Sequence, residues 1–336
     1  MRIVLLLAGL ALCAALLWHA DWKLIRQQLA TLGWWAPLVF LPYTLVYLAD
    51  SLGWKMAFGS AGTGKASFLT MARIRWSGES LNNVLPSVYV GGEALKVFLL
   101  KKHQVPISRA TAAAVVSKTI QTLAQLVYLA AAAWAFSSLL PPESSMRQGL
   151  WTVMAGSLVV VALMFWIQSQ GLIRIASVVA AKLRVARRFL EERREKIQKL
   201  DASIAGFYNR ERGFFGMSFC AYVCGWFLDT LEIWVAAQLL GTPVTWVQAL
   251  AVEAFVAVAK ILGLFIPAAL GVQETGIILL GRAAGFPESF CYAYAVLRRS
   301  REILFLLVGW ALLSMQGISI RSLSKKGRFL TPEEPN

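Results

Sequence analysis

Apolar residues gather into long stretches along this chain, at about Ile3 to Trp18, Trp34 to Phe58, Ala110 to Leu140, Leu150 to Ile167, Phe214 to Leu240 and Cys291 to Met315. Each is near the ~20 residues a helix needs to cross the hydrocarbon, so the pattern predicts an all-α integral membrane protein with about six transmembrane helices. Two further apolar regions, Leu81 to Leu100 and Val247 to Leu280, are broken by proline or glycine and carry acids. They read as two re-entrant hairpins, because irregular backbone at membrane depth is tolerated only where protein or a water-filled cavity satisfies it.

The pattern occurs twice. Sliding Leu81–Val127 onto Leu262–Val308, 181 positions later, matches 12 of 47 residues without a gap. The matches include Pro86 with Pro267, Glu93 with Glu274 and Pro106 with Pro287, while Lys118 falls on Arg299. Shared apolar composition explains several identities, but not two prolines, an intramembrane acid and a cation in one register. Such duplication inside a hydrophobic chain marks a transporter built from two repeats around a central site.

Charge orients the helices. The chain carries a net charge of +15, with 11 Lys and Arg between Arg174 and Arg212 and more from Arg321 to Arg328. That is the bias of cytoplasmic loops and not of a nucleic-acid binder. With this segment inside, Lys65, Arg73, Arg75, Lys101, Lys102 and both termini also fall inside, and the turn at Pro141, Pro142 and Glu143 falls outside. The helix at Trp34 then runs inward and its mate near Phe215 outward, so the two repeats are expected to be inverted. One hairpin enters from each side.

The expected organisation is therefore an N-terminal transmembrane helix and short loop at 1–30, a first repeat at 31–140, and a helix with a basic cytoplasmic amphipathic segment at 141–213. A second repeat at 214–320 and a basic cytoplasmic tail at 321–336 follow. Arg2 before a short apolar run also fits a cleavable signal. From Leu172 to Leu200 apolar residues at helical spacing lie beside many cations, which suits an interfacial helix on anionic lipid or a solvated linker helix.

Ionisable groups at membrane depth are the candidates for chemistry, since each costs ~2.5–3.5 kcal/mol on insertion scales. In the first hairpin Glu79, Asn82, Asn83, Glu93 and Lys96 flank Pro86 and the pair Gly91 and Gly92. A helix starting at those glycines would aim free amides at its cavity and favour an anion. The second hairpin has Glu253, Lys260, Pro267, Gly271, Gln273 and Glu274, with Glu253 and Lys260 seven apart on one helical face and able to pair. Glu93 and Glu274 either cap backbone amides or pair with a cation to hold the hairpin, or serve proton coupling or headgroup contact. The helix after each hairpin carries cations, Lys118 in one and Arg298, Arg299 and Arg301 in the other, which could clamp an anionic headgroup. For Arg298 and Arg301 the alternative is snorkelling, or an ion pair with Glu302 or with Asp229 and Glu232.

Cys13, Cys220, Cys224, Cys291, His19 and His103 have no metal-ligand spacing, so neither a metal site nor a cofactor is expected. The run from Gly59 to Lys65 matches most of a phosphate-binding loop, but Ala66 follows and a membrane helix precedes it, which removes its context. The excess of tryptophan is explained by interfacial anchors at Trp18, Trp22, Trp34, Trp35 and Trp151.

At Gly91–Lys96 and again at Pro267–Glu274 the chain resembles the flippase-like membrane domain of the lysylphosphatidylglycerol synthase family, over nearly its whole length. Leu270–Gly281 and Leu297–Glu302 look most like the branch of membrane proteins associated with hopanoid biosynthesis. The resemblance implies transbilayer movement of a lipid, with the hairpin glutamates and the downstream basic helix near the lipid path. Bifunctional members add a soluble aminoacyl-transferase domain, whereas this sequence ends at Asn336, so aminoacylation is not expected. Many relatives also have Pro, Gly and Arg shortly before the first Gly-Glu, where this chain has Ser87, Val88, Tyr89 and Val90.

The expected function is a flippase or transporter for an anionic or amphipathic lipid in the bacterial cytoplasmic membrane, with membrane lipids and lipid-biosynthetic enzymes as partners. Two other readings stand beside it, an accessory scaffold for lipid biosynthesis and a headgroup-modifying enzyme. No nucleophile, base and orienter set can be assembled for the enzyme.

Overall fold

The computed structural model describes residues 11, 18, 21–84, 90–138, 141, 143–169, 194–262 and 266–317. Pro86, nearly all of the first apolar stretch, most of the 172–200 segment and the 321–336 tail lie outside these residues. Every regular element described is helical: α1 (Trp22–Leu32), α2 (Leu41–Met56), α3 (Phe68–Val84), α4 (Val90–Lys101), α5 (Ile107–Ser137) and α6 (Ser145–Ser169). Then come α7 (Arg194–Arg210), α8 (Arg212–Leu239), α9 (Trp246–Leu262), α10 (Val272–Ala283) and α11 (Glu288–Met315). Short 3-10 segments stand at Gly33–Phe40, Gly59–Ala61 and Pro267–Ala269.

Among the described residues three helical stretches are long and apolar enough to cross a membrane: Trp22–Met56, α5 and α8. They coincide with three of the six expected crossings. At 1.5 Å per residue, the 31 residues of α5 extend ~46 Å, beyond the ~30 Å of hydrocarbon. Leu158, Val159, Val160 and Leu163 of α6 are all exposed, an arrangement that a lipid environment makes inexpensive. Trp34 and Trp35, also exposed, flank Pro37 at the 3-10 segment between α1 and α2. Asp21 starts α1 by accepting hydrogen bonds from the backbone N–H groups of Lys23 and Leu24, each 3.1 Å.

The sequence duplication is present in the local backbone. α3 and α9 both have 17 residues, and α4 and α10 both have 12. α5 and α11 begin 181 positions apart, each behind a proline with nearly the same dihedrals, φ −58° and ψ 138° at Pro106 against φ −57° and ψ 137° at Pro287. The turn before each proline repeats as well: Val105 N–H donates to Leu100 O and Gln104 N–H to Lys101 O, as Phe286 N–H does to Gly281 O and Gly285 N–H to Arg282 O. Gln104 takes a left-handed φ of 62° where the second copy has Gly285 at 88°. The backbone demand is shared, and only the second copy meets it with the residue that carries no steric penalty.

Two compact units divide the chain. The first comprises Met1–Thr44, Leu69–Leu99 and Asp229–Asn336. Its apolar core joins Leu32, Val39, Ile233, Val252, Val256, Phe290 and Tyr294. The second comprises Leu45–Phe68 and Leu100–Leu228. Its core gathers Ala57, Val116, Ile120, Ala124, Ile204, Phe207 and Tyr222, with Ser117 and Tyr222 hydrogen-bonded through their hydroxyls.

Candidate functional site

In the first unit the hairpin formed by α3 and α4 brings its backbones close together. A Cβ on Gly92 would collide with the carbonyl oxygen of Gly78 and the side chain of Asn82, and one on Gly78 would lie 3.0 Å from Gly92 O. Glycine at both positions permits this approach. It also lets Asn82 Oδ1 accept from Gly92 N–H at 2.7 Å, near the start of α4, where backbone donors lack helical partners. One turn further, Lys96 is 2% exposed and its Nζ lies 2.6 Å from Glu93 Oε1 and 3.4 Å from Glu79 Oε1. Arg75 joins at 3.8 Å from Glu79. Two acids meet two cations here, and these four charges balance.

Sequence reasoning placed Glu79, Asn82, Glu93 and Lys96 in one hairpin. It did not bring in Arg75, which sits one helical turn before Glu79 and was legible as an i,i+4 partner.

The corresponding glutamate of the second copy does two things at once. Gly271, at φ 78°, precedes α10, and its N–H donates to Glu274 Oε2 at 2.9 Å. The other oxygen of Glu274 accepts from Arg299 Nε at 2.6 Å and from Arg299 Nη2. Arg299 Nη1 then donates to Glu302 Oε2 at 2.7 Å and to Ala268 O at 3.3 Å, and Gln273 Nε2 donates to Glu302 Oε1 at 2.9 Å. Capping and cation pairing are therefore both present at Glu274. Arg299 keeps 20% of its side chain exposed, so an incoming group can reach it.

Arg298 and Arg301, one helical turn apart on α11, are wholly buried in the same unit. Glu253 of α9 holds Arg298 in a two-pronged pair, Nη1 with Oε2 and Nη2 with Oε1, the latter at 2.7 Å. Tyr294 Oη accepts from Arg298 at 3.1 Å, and Asp229 Oδ2 lies 3.8 Å away. Arg301 stacks its guanidinium over the Tyr43 ring, 3.3 Å from the centroid, with Glu232 at 2.9 Å, Glu302 at 3.7 Å and Asp229 at 4.0 Å. The expected alternative of pairing with Asp229, Glu232 and Glu302 is what the geometry contains. Glu253 is engaged by Arg298 and forms no ion pair with Lys260, which is half-buried on the same helix. Tyr43 was missed, because nothing in its neighbourhood of the chain signals an arginine 258 positions away.

Lys118 lies in the second unit. It donates to Gln121 Oε1 at 3.2 Å, and Gln121 donates to Asp50 Oδ2 at 3.2 Å. This three-residue step repeats that from Arg299 to Glu302 in register, with an amide in place of the carboxylate. The second unit also has an open cleft of about 420 Å³ with Ser108, Arg109, Ser203 and Arg210 among its polar lining and Ala112 and Phe207 among its apolar lining.

Among the described residues no group of three His, Cys, Asp or Glu could hold a metal ion. Gly59–Ala61, inside the run resembling a phosphate loop, is a 3-10 turn between two helices. Neither the curated proteins nor the solved structures contain a match to this chain. Three helical stretches long and apolar enough to cross a membrane frame these buried charges, and the model of the lysylphosphatidylglycerol synthase TM region matches residues 4–309. The chain is thus an integral membrane protein and a member of the lysylphosphatidylglycerol synthase transmembrane-region family.

Proposed function

We propose that this protein moves an anionic or amphipathic lipid between the leaflets of the bacterial cytoplasmic membrane, with both termini on the cytoplasmic side. The observation that carries this reading is the Glu274–Arg299–Glu302 chain. A partly exposed guanidinium there is held by two carboxylates at the start of a hairpin helix. A phosphate-bearing headgroup can replace either carboxylate on the planar fork of Arg299, so the site can exchange an internal anion for a cargo anion. Family membership supports a lipid-related role. The resemblance of Leu270–Gly281 to the hopanoid-associated branch points to a hopanoid-related lipid as the first cargo to try.

The recurrence of helix lengths and turn bonds supports two repeats, and the cytoplasmic bias of the cations supports their being inverted. An inverted pair lets one site open to either side. Arg298 and Arg301, sealed by their own acids, act behind the site and hold the helix that carries Arg299.

The test is reconstitution of the full chain into vesicles, following labelled phosphatidylglycerol and an extended hopanoid from leaflet to leaflet. Acceleration over empty vesicles, lost in Arg299→Ala, is the expected result. No acceleration for any lipid class, with deletion leaving leaflet distributions intact, would turn the reading toward a scaffold for lipid-biosynthetic enzymes.

A further inference from the structure

The buried cluster in the first unit carries more acid than base. Asp229, Glu232 and Glu253 are 7%, 0% and 1% exposed, and they face only two cations of equal burial, Arg298 and Arg301. The sum is −1. Widening the boundary to the half-buried rim adds Glu302 and Glu274 on one side and Arg299 and Lys260 on the other, and the sum stays at −1. The four interacting charges of the first hairpin, Arg75, Lys96, Glu79 and Glu93, balance to zero. An uncompensated charge sealed from water at membrane depth costs several kcal/mol, so one monovalent cation is needed to close the account.

Hydrogen bonding says which cation and where. Glu253 is saturated by Arg298 on both oxygens. Glu232 stands 2.9 Å from Arg301, yet neither of its oxygens makes an aligned hydrogen bond, and Asp229 Oδ1 accepts none either. These orphan acceptors lie three residues apart on one face of α8. Arg301 Nε, Nη1 and Nη2 are without an aligned partner as well, so these oxygens are held by charge alone, and a proton neutralises the acid left in excess. A metal ion would need several converging ligands, and no group of three His, Cys, Asp or Glu could hold one among the described residues.

We propose that Asp229 and Glu232 form a proton-binding site that shares one proton while the cluster is sealed and releases it when lipid moves. Among the described residues the charged or titratable side chains around it are Tyr43 from α2, Glu253 and Lys260 from α9, and Tyr294, Arg298, Arg301 and, beside Arg301, Glu302 from α11. Arg298 and Arg301 keep two negative charges satisfied at all times, and the third is the one that titrates. Asp229 is the least sealed of the three acids. The coupling half of this inference rests on the lipid-transport reading above, whereas the proton-binding half does not.

The test uses the full chain in vesicles of phosphatidylethanolamine and phosphatidylglycerol. Infrared spectroscopy at neutral pH should show one protonated-carboxyl carbonyl band in the wild type. Either Glu232→Gln or Asp229→Asn brings the sum to zero, so the band should vanish in both. Both variants should keep the wild-type unfolding midpoint, because each replaces a group that was already neutral half of the time. Glu253→Gln, which strips an ionised partner from Arg298, should lower it. Absence of the band in wild type, its persistence in both single variants, or a Glu232→Gln chain as unstable as Glu253→Gln or unable to fold would each overturn the site.

An imposed pH gradient should speed lipid movement several-fold in wild type and not in Glu232→Gln. Movement indifferent to the gradient overturns coupling alone. No lipid movement, with the band present and lost as expected, overturns the transport reading and leaves the proton site standing.

Discussion

Replacing Glu253 by Gln is the sharpest probe of how this molecule is held together. The change is nearly isosteric, so it removes charge without opening a cavity. Arg298 is wholly buried, and the carboxylate it loses supplied both Nη contacts, one of them at 2.7 Å. At an effective dielectric of ~20, unit charges at that separation attract by ~6 kcal/mol, most of which offsets the desolvation of the two ions. The pair as a whole therefore contributes little. Breaking it by removing one partner is different, because the guanidinium stays buried, and such losses run to ~3–5 kcal/mol. Asp229 at 3.8 Å and Tyr294 at 3.1 Å remain and place the expected loss at the lower end, ~3 kcal/mol.

Denaturant or thermal unfolding of the purified protein in lipid discs, followed by tryptophan fluorescence, measures it. The double variant Glu253→Leu with Arg298→Met, which removes both charges, should recover most of the loss. If Glu253→Gln unfolded within ~0.5 kcal/mol of wild type, Arg298 would not be sealed as described.

Other substitutions separate the hairpins from the helix behind them. Glu274→Gln weakens a charge-assisted pair with Arg299 worth ~1.5–3 kcal/mol, so lipid movement in vesicles should fall roughly tenfold to a hundredfold while the protein stays folded. Glu93→Gln should act in the same direction through Lys96, and wild-type activity in both variants would remove the glutamates from the mechanism. Arg299→Lys should retain more activity than Arg299→Ala, but not all, because a point charge cannot grip Glu274 and Glu302 as a fork does. Gly92→Ala should destabilise the hairpin by ~1–3 kcal/mol, seen as a lowered unfolding midpoint, since the new methyl meets the backbone of Gly78.

What the sequence determined by itself is local or repetitive. Helix length follows from runs of apolar residues, and three of the expected crossings stand where hydropathy put them. The starts of α5 and α11 at Pro106 and Pro287 are set by proline's fixed φ and its missing N–H, which act within a turn. The 181-residue register carried over to the turn bonds before both prolines for the same reason. The contact of Glu274 with its own N-cap is equally short in range, three residues.

Only the tertiary structure decided who pairs with whom. Glu253 and Lys260 share a helical face, yet Glu253 bonds Arg298, 45 positions away, and Arg301 finds Glu232 and the ring of Tyr43. Those choices depend on how α2, α8, α9 and α11 are rotated about their axes, and rotation is set by packing summed over many apolar contacts, such as those joining Val252, Val256, Phe290 and Tyr294. No single position in the sequence encodes that sum. The physical reason is one of range. Backbone dihedrals and hydropathy act along the chain and can be read in order, whereas a buried charge takes its partner from whichever helix the core turns toward it.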